Sequence, residues 1–231
     1  MKQLIIGRGQ IGIALHKVLR LPAWDIIEEQ KAIGDSFDVL HICFPFSKRF
    51  VDYVKDYIEV YYPNLVIIHS TVPIGTTEKC GNICVHSPIR GIHPNLEEGI
   101  RTFVKYFGGN KANEAAMIFV ELGIKVQITS SSRSIEALKL WDTTQYAWNI
   151  ILEKEIKRYC DKHKLDFDLI YTNANKSYNE GYRDLGMKYV NRPILKHIKG
   201  QIGGHCIISN CKLFKNWITK LILKRNEKYN V

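Results

Sequence analysis

The stretch "LIIGRGQIGIAL", residues 4–15, decides the fold of this chain. It joins an apolar run typical of a buried strand to an apolar helical pattern, through a turn that carries Gly7, Gly9 and Gly12 in the spacing G-x-G-x-x-G. In such a turn the first glycine makes the tight bend, the second admits a pyrophosphate and the third lets the helix pack on the strand. The stretch therefore predicts a dinucleotide site. A glycine turn of an α/β fold that binds nothing is the alternative.

Neighbouring residues refine this site. The helix that opens at Gln10 and Ile11 presents its backbone N–H groups and its dipole to the phosphates. Glu28 follows Gly7 by 21 residues, at the end of the second predicted strand. Its carboxylate would accept hydrogen bonds from the adenosine ribose and disfavour a 2′-phosphate, so NAD is expected rather than NADP, with Glu29 as a competing acid.

Strands and helices alternate over the first part of the chain. Further short apolar runs that predict strands are "WDII" (24–27), "DVLHICF" (38–44), "LVIIHS" (65–70), "NICVHS" (82–87) and "KVQIT" (125–129). The stretches with helical periodicity are "QIGIALHKVLR" (10–20), "SKRFVDYVKDYIEVYY" (47–62) and "KANEAAMIFVELG" (111–123). The fold class is α/β, with an N-terminal Rossmann domain over residues 1–130 built on a doubly wound parallel sheet.

The pattern changes after this domain. The following residues predict one helix of about thirty residues, with Ser132 or Ser134 as its cap. Later stretches, one of them at about 209–224, are helical too, and a second sheet is not predicted. We therefore expect residues 131–231 to form a long connecting helix followed by a small all-helical C-terminal domain.

Composition limits the class of protein. The chain has 231 residues, 45% of them apolar, and no run approaches the roughly eighteen apolar residues of a membrane span. Its six cysteines are spaced unlike a disulfide scaffold, so we expect a cytoplasmic protein. Cys80, Cys84 and His86 resemble a metal clip but lack a matching second pair, so no metal is predicted. The net charge of +10 favours anionic partners, but the lysines are scattered, so we expect a solvated surface and a basic C-terminal helix rather than a nucleic-acid groove. An anionic small substrate would also suit this charge.

Four motifs resemble those of a known protein family. They are "HSTVPIGTT" (69–77), "HSPIRGIHPNLEEGI" (86–100), "ALKLW" (137–141) and "GGHCIISN" (203–210). In order and spacing they resemble the UDP-glucose/GDP-mannose dehydrogenase family. The resemblance implies NAD on an N-terminal Rossmann domain, a long helix, a helical dimerisation domain and a further C-terminal domain for the substrate's nucleotide. It also implies a sugar alcohol oxidised to a carboxylate in two hydride transfers, through a thioester on a cysteine.

The resemblance assigns roles to individual residues. Cys206 matches the thiol that traps the intermediate aldehyde, Lys139 matches the lysine that steadies the oxyanion, and Thr71 matches the threonine near the nicotinamide. Pro45, at the end of the third predicted strand, is expected to be a further cofactor contact. Arg90 is kept, and we expect Arg90 or Arg192 to hold an anionic group of the substrate.

Departures from the family pattern are equally informative. Ile89 stands where a glutamate is usual, Thr143 where an asparagine is usual, and Asn210 where the family has a catalytic aspartate. The third domain has no counterpart in these 231 residues, so we expect a divergent, truncated member that lacks the C-terminal nucleotide-sugar-binding domain. Because neither an amide nor an alkyl group can accept a proton from water, we expect the four-electron oxidation to be impaired and a two-electron oxidation of an alcohol or hydroxy acid to remain.

Helical spacing supports a pocket on the long helix. Lys139, Thr143 and Tyr146 share one face, where an amine, a hydroxyl and a phenol would line a polar pocket beside the nicotinamide. The lysine there would act as general acid–base or as an electrostatic clamp on an alkoxide. A solvent-exposed lysine paired with Asp142 or Glu136 is the alternative.

The substrate side of the site is predicted from residues nearer the C-terminus. Cys206 is a nucleophile, a metal ligand or a buried structural thiol; as a nucleophile it needs the thiolate, which the start of the following helix would favour. Gly204 would let backbone approach a substrate, and His205 adds a polar group. Arg192 resembles an arginine that precedes the glycine loop in some family members. The cluster "NANKSYNEGYRDLG" (173–186) suits a polyhydroxylated ligand or is simply a polar helix surface.

These observations predict an NAD-dependent oxidoreductase that oxidises an alcohol carbon of a small, anionic or sugar-like substrate, with Lys139 and Cys206 at the reacting centre. A non-catalytic dinucleotide-binding sensor or regulator is the alternative, because the family's acidic residues are missing. A basic nucleic-acid binder ranks last. A homodimer is expected, with Leu140, Ala147 and Ile151 as its seam, although these side chains would equally suit packing within the chain.

Overall fold

The computed structural model of the protein describes residues 1–25, 36–92, 94–204 and 206–229. Two units are distinguished by their internal contacts, Met1–Leu140 and Trp141–Val231. Among the residues described, no helix has both the length and the hydrophobicity that crossing a bilayer requires.

The first unit contains a sheet of seven described strands in the order β2-β1-β3-β4-β5-β6-β7. The strands are β1 Gln3–Ile6, β2 Ala23–Trp24, β3 Val39–Ile42, β4 Leu65–Ile68, β5 Cys84–His86, β6 Lys105–Gly108 and β7 Val126–Thr129. Neighbouring strands are parallel except β5 and β6, which run antiparallel. The predicted α/β class and Rossmann-like sheet are confirmed, with the correction that the sheet is mostly rather than wholly parallel.

Strand β6 is the element that the sequence does not predict and that changes the sheet. Its four residues, "KYFG", begin with Lys105 and so lack the continuous apolar run of a buried parallel strand. One residue pair, His86 opposite Gly108, sets its antiparallel register against β5. Strand β7 then pairs with β6 in parallel. The reversal therefore depends on a long-range pairing that no local pattern encodes.

Helices cover both faces of the sheet. They are α1 Gln10–Leu19, α2 Phe50–Tyr61, α3 Thr76–Cys80, α4 Leu96–Thr102 and α5 Ala112–Val120, of which α3 and α4 are too short for periodicity to predict. Alternate side chains of a strand point to opposite faces. Ile5 and Ile67 pack with side chains of α1 and α5 in one hydrophobic cluster, and Leu40 and Ile68 pack with side chains of α2 in another. Burial of apolar surface on both faces holds the carboxyl ends of β1, β3, β4 and β5 at one edge.

The long helix α6 runs over Ser132–His163, 32 residues, close to the predicted length. Its cap is Ser131 rather than Ser132 or Ser134, because the backbone N–H of Ser134 donates to Ser131 Oγ at 3.1 Å. A capping side chain belongs to the residue directly before the first helical residue and accepts from the N–H three positions on. Ser131 occupies that position.

The second unit is helical, as predicted. After α6 it contains a π-helical turn Asp168–Asn173, α7 Ala174–Asp184, a 3-10 turn Lys188–Val190, α8 Cys206–Leu213, α9 Trp217–Asn226 and a 3-10 turn Glu227–Tyr229. The single helix predicted at about 209–224 is wrong, because Asn216 caps a new helix. Its Oδ1 accepts from the N–H of Thr219 at 3.0 Å, and Thr219 Oγ1 accepts from the N–H of Asn216 at 3.1 Å. Cys206 is therefore the first residue of α8 and does not precede the helix.

Two of the three residues predicted to form a dimer interface pack inside the second unit. Ala147 and Ile151 are buried, and they pack in a cluster with Ile202, Cys211 and Ile222. For these two residues the alternative, packing within the chain, is correct. They offer no apolar surface to a second subunit, because the surface is already buried.

Candidate functional site

The three glycines of the first turn differ in how much space surrounds them. Gly7 has a φ of +103°, and a Cβ there would lie 2.8 Å from the backbone nitrogen of Phe44. A Cβ on Gly12 would lie 1.8 Å from the carbonyl oxygen of Gly7, so α1 can start this close to β1 only with glycine there. By contrast, no described atom lies within 4 Å of the position of a Cβ on Gly9. The turn itself requires Gly7 and Gly12, whereas Gly9 leaves open space in which a ligand can approach the backbone.

The start of α1 suits a bound anion. Gly9 precedes the helix, and within the described residues no side chain caps its first N–H groups. Gln10 is exposed, Ile11 is half-buried, and Pro45 is exposed beyond β3 at the same edge of the sheet. These residues fit the pyrophosphate of a dinucleotide, which needs N–H donors and a close approach to backbone. The acid predicted to bind the ribose, Glu28, lies outside the described residues and stays a prediction.

Hydrogen bonds tie together the carboxyl ends of three neighbouring strands. Ser70, which follows β4, donates from Oγ to the carbonyl of Phe44 at 2.6 Å, just beyond β3. The carbonyl of Ser70 lies 3.1 Å from Nε2 of His86, the last residue of β5. Thr71 follows directly and is half-buried. The predicted threonine therefore lies in a loop whose position is set by hydrogen bonds to both neighbouring strands.

Two side chains in the first turns of α6, the part of this helix that belongs to the first unit, pack inside that unit. Glu136 is completely buried, and its carboxylate accepts the backbone N–H groups of Gly75 at 2.5 Å and Thr77 at 2.7 Å. Burial raises the pKa of the Glu136 carboxyl, and these hydrogen bonds partly offset the rise. Ile135 packs so tightly on Gly108 that a Cβ on the glycine would lie 2.6 Å from Ile135 Cγ1. The start of the helix is thus held against both the loop after β4 and strand β6.

Lys139, the predicted acid–base residue, lies near the carboxyl end of β5. It comes one helical turn after Ile135 and is half-buried. Burial, together with the charges of Lys105 and Lys139, lowers the pKa of His86 to about 3, although the hydrogen bond to Ser70 acts to raise it. His86 is completely buried. The structure therefore places the amine of Lys139 within electrostatic reach of a buried imidazole at the edge where Thr71 also lies.

The residues after β5 divide between core and site. Ile89 is buried and packs with Leu96 in a hydrophobic cluster, so the position of the family's glutamate serves the core here. Arg90 is half-buried. Its guanidinium carbon lies 5.7 Å from the ring centroid of Phe103 and 5.6 Å from that of Tyr106. These cation–π contacts hold a guanidinium that the sequence predicts to bind an anionic group.

In the second unit the two departures from the family pattern touch each other. Asn210 is 5% exposed, and its Nδ2 donates to Oγ1 of Thr143 at 3.4 Å. Cys206 is exposed and opens α8, one helical turn before Asn210. The interpretation of Cys206 as a buried structural thiol is therefore wrong. Tyr146 is exposed on α6.

The remaining predicted substrate contacts have local surroundings of their own. Gly204 has a φ of +82°, a conformation that favours glycine, and its neighbour His205 lies outside the described residues. Arg192 is held by Asn179, whose side chain bonds the N–H of Arg192 at 2.8 Å and its carbonyl at 2.9 Å. The Arg192 guanidinium carbon lies 3.5 Å from the ring centroid of Tyr178. This part of the polar cluster stabilises the segment that carries Arg192.

Cys80, Cys84 and His86, the residues that resemble a metal clip, have other surroundings. Cys80 and Cys84 are buried free thiols, and His86 uses Nε2 on the carbonyl of Ser70. In the part of the chain that the structure describes, no group of three or more His, Cys, Asp and Glu side chains could hold a metal ion.

Known proteins share this architecture. No family model and no curated protein matches the sequence. Among solved structures, UDP-D-ManNAc dehydrogenase from Pyrococcus horikoshii superimposes with a TM-score of 0.79 at 19% identity, over 99% of this chain and 69% of that one. The chain has the fold of a nucleotide-sugar dehydrogenase. The resemblance predicted from the four motifs is thereby confirmed in the fold.

Two further solved structures share this fold. One is 3-hydroxyisobutyrate dehydrogenase from Mycobacterium tuberculosis, with L-serine, which matches with a TM-score of 0.66 at 15% identity over 99% of this chain and 94% of that one. The other is a protein called Psf3, in complex with NADP+ and 2-OPP, with a TM-score of 0.56 at 14% identity over 98% of this chain and 93% of that one. The chain thus spans nearly the full length of these two structures and about two thirds of the sugar dehydrogenase.

A buried polar network in this dehydrogenase fold is absent from the sequence prediction. His41 Nδ1 lies 3.0 Å from His69 Nε2, and His69 Nδ1 lies 3.4 Å from Lys105 Nζ. Lys105 Nζ donates to the carbonyl of Ser87 at 3.0 Å, and Gln3 Oε1 lies 2.9 Å from His41 Nε2. Burial lowers the pKa of His41 to about 3 and that of Lys105 to about 7. Histidines inside the apolar runs "VLHI" and "IIHS" are the signal that could have indicated this network.

Proposed function

We propose that this chain is an NAD-dependent oxidoreductase that oxidises an alcohol carbon of a small, anionic or sugar-like substrate by hydride transfer. The open space beside Gly9 carries this proposal, because it lies after β1, at the carboxyl edge of the sheet where Thr71 follows β4. Ligands of open α/β sheets bind at this edge. The likeness of the fold to sugar and hydroxy-acid dehydrogenases supports the same reaction class.

The cofactor would be held by backbone and small residues. These are Gly7, Gly9 and Gly12, the N–H groups of Gln10 and Ile11, and Pro45 and Thr71. The nicotinamide, when bound, supplies the acceptor for the hydride. We assign NAD because of Glu28, while the NADP+ in Psf3 makes NADP the alternative. The ratio of NADH to NADPH affinity in Glu28→Ala tests this choice, since the carboxylate should exclude the 2′-phosphate.

Lys139 is the proposed acid–base residue. Its amine takes the proton of the substrate hydroxyl as the hydride leaves the carbon, and the resulting charge stabilises the oxygen. The other proposed contacts rest on the sequence motifs: Cys206 and Thr143 at the reacting carbon, and Arg90, Arg192, Tyr146, Gly204 and His205 for the rest of the substrate.

We propose a two-electron oxidation. Hydrolysis of a thioester on Cys206 would need a general base, and Asn210 is an amide whose nitrogen already donates to Thr143. Ile89, at the position of the family's glutamate, lies in the core. Hydroxy acids are the first substrate class to test, because the chain matches nearly the full length of a hydroxy-acid dehydrogenase.

Binding of NADH to Gly9→Val tests the cofactor site. The backbone of Gly9, at φ −69° and ψ −173°, suits any residue, so the variant should fold, while its side chain fills the open space. We expect at least a tenfold loss of affinity, about 1.4 kcal/mol. Gly181→Val, in the exposed helix α7 where a Cβ meets no described atom, is the matched control. Equal affinity of Gly9→Val and wild type would contradict the proposal.

Substrate-dependent formation of NADH tests the activity. A panel of hydroxy acids, sugar alcohols and nucleotide sugars is incubated with the protein and NAD, and NADH is counted per substrate consumed. We expect one equivalent. Two equivalents would refute the two-electron reaction, and loss of the signal in Lys139→Met is expected for an acid–base residue.

A non-catalytic dinucleotide sensor is the second candidate function. The burial of Ile89 and the pairing of Asn210 with Thr143 favour it, because acidic groups are missing at both family positions. It predicts binding of NADH by the wild type without turnover of any member of the panel.

We also propose a cytoplasmic homodimer. All six cysteines, each within the described ranges, are free thiols, which suits a reducing compartment. Leu152, Tyr159 and Leu169 are exposed apolar side chains of the second unit that would be covered by a partner. Sedimentation equilibrium should give twice the mass of the chain, and the mass of one chain would contradict the dimer.

A further inference from the structure

His86 is a buried imidazole that lies outside the set of residues assigned to the proposed reaction. It is completely buried at the last position of β5. Its Nε2 lies 3.1 Å from the carbonyl oxygen of Ser70, and because a carbonyl only accepts, Nε2 carries the proton. The lone pair of the neutral ring is therefore on Nδ1. Within the described residues Nδ1 has no hydrogen-bond partner.

The fold brings Lys139 to this end of β5 by a chain of contacts. His86 is paired with Gly108 across the sheet. Gly108 is covered by the first turns of α6, since a Cβ on it would lie 2.5 Å from the carbonyl oxygen of Ser131 and 2.6 Å from Ile135 Cγ1. Lys139 is four residues after Ile135 and lies on the same face of the helix. The side of α6 that carries Lys139 is thus the side that packs on Gly108, the residue opposite His86.

The charges around the ring favour a neutral acceptor. Lys105 from β6 and Lys139 from α6 are the ammonium groups that influence His86, and Glu136 on the same helix accepts backbone N–H groups. Burial lowers the pKa of His86 to about 3, so the ring stays neutral near pH 7 and does not repel a lysine. An unpaired buried acceptor costs about 1–3 kcal/mol, which a donor that turns toward it would recover.

We propose that His86 is a positioning residue for Lys139: its Nδ1 accepts a hydrogen bond when the protonated Nζ of Lys139 turns toward it, both in the free protein and when the amine has taken the proton of the substrate hydroxyl. In that step the hydroxyl O–H bond breaks and an N–H bond forms on Lys139, while the electron pair of the C–H bond leaves with the hydride for the nicotinamide. This assignment rests on the proposed acid–base function of Lys139. It gives the buried imidazole two separate tasks, one on each nitrogen.

Two variants separate these tasks. In His86→Gln the side-chain amide nitrogen can replace Nε2 and keep the bond to Ser70, but the acceptor at Nδ1 is lost. In His86→Asn the side-chain oxygen replaces Nδ1 and the bond to Ser70 is lost. If His86 positions Lys139, His86→Gln should impair this role and His86→Asn should keep it. If His86 only serves the structure through its bond to Ser70, His86→Asn should impair that role and His86→Gln should keep it.

The readout is the reactivity of Lys139 in the full chain without cofactor or substrate. Competitive acetylation with acetic anhydride, followed by peptide mass spectrometry, measures the neutral fraction of Lys139 against the exposed Lys79. We expect His86→Gln to increase labelling of Lys139 at pH 7 about tenfold, as loss of one hydrogen bond to a charged group predicts, and His86→Asn to stay near wild type. Equal labelling in all three proteins, or an equal increase in both variants, would overturn the proposal.

A second measurement keeps His86 intact in case its variants do not fold. The ¹⁵N signal of Nδ1 is compared by NMR in wild type and Lys139→Met, with Nε2 of the same ring as reference. We expect Nδ1 to shift and Nε2 to stay, and an unchanged Nδ1 would overturn the proposal. Both measurements are independent of turnover, so absence of NADH binding or NADH formation would remove the proposed function without altering them.

Discussion

Asn210 donates a hydrogen bond from its side-chain amide to the hydroxyl of Thr143, at 3.4 Å. The family resemblance implies an aspartate and an asparagine at these two positions. In this chain the amide is at position 210 instead of position 143, and it faces the hydroxyl of Thr143 instead of a carboxylate. Because Asn210 is 5% exposed, the bond offsets part of the cost of burying its amide. The contact joins α8 to the part of α6 that belongs to the second unit, without an acidic group.

Restoring the carboxylate should change the chemistry more than the stability. In Asn210→Asp the Thr143 hydroxyl can donate to the new carboxylate, so we expect the free energy of unfolding at pH 7 to change by about 1 kcal/mol or less. If Cys206 forms a thioester, a base at this position should raise the yield from one NADH per substrate toward two. Asn210→Leu is the control, with a loss of about 1–2 kcal/mol in urea unfolding and an unchanged yield. An unchanged yield in Asn210→Asp would show that the carboxylate is not the missing group.

The glycines of the first turn should differ sharply in tolerance. Gly12→Ala would place its Cβ on the carbonyl of Gly7, and we expect it to lower the free energy of unfolding by about 3 kcal/mol. In Gly9→Ala the new Cβ lies in open space, so we expect the free energy of unfolding to fall by less than about 1 kcal/mol. Urea titrations of the two variants and wild type measure both values. Equal stabilities would mean that α1 does not approach the turn as closely as described.

The stability of the folded chain should rise with pH above neutrality. Burial lowers the pKa of Lys105 to about 7, whereas the ordinary value of 10.5 applies in the unfolded chain. Above pH 7 the unfolded chain therefore binds a proton that the folded chain has lost, so this group raises the free energy of unfolding by up to about 1.4 kcal/mol per pH unit. The gain is lost as the pH falls to 7 and below.

Lys105→Met tests this linkage. Methionine keeps the apolar packing against Phe107 and Phe119, and it cannot titrate. In urea unfolding between pH 7 and 8.5, where most thiols keep their protons, the free energy of unfolding should rise less steeply with pH than in wild type. Lys111→Met, at the ion pair with Glu114, should keep the wild-type slope. A wild-type slope in Lys105→Met would mean that Lys105 is not neutralised by folding.

Thiol labelling should single out Cys206. It is exposed, whereas the other five of the six free cysteines are buried. In native protein, Ellman's reagent should therefore label one thiol rapidly and the rest only after denaturation. Cys206→Ser should abolish the rapid phase and Cys211→Ser should leave it intact. Rapid labelling that survives in Cys206→Ser would show that the start of α8 is not placed as described.

Sequence alone predicted the parts of this protein whose causes are local. The turn at Gly7, Gly9 and Gly12 is one such part, because its φ angles and close approaches involve residues near one another in the chain. Strands β3 and β4 and the length of α6 follow from hydrophobic runs and periodicity in the same way. The likeness to dehydrogenases came from short motifs at the strand ends, where ligand-binding loops of this fold lie.

Tertiary structure decided the parts that depend on residues distant in sequence. The antiparallel entry of β6, the burial of Lys105 among histidines and the bond between Asn210 and Thr143 each join separate elements. The same holds for the surroundings of His86, which is paired with Gly108 across the sheet, where the start of α6 packs on that glycine. A window of sequence reports which side chains are apolar, but desolvation and pairing depend on which elements become neighbours, and only the packed chain determines that.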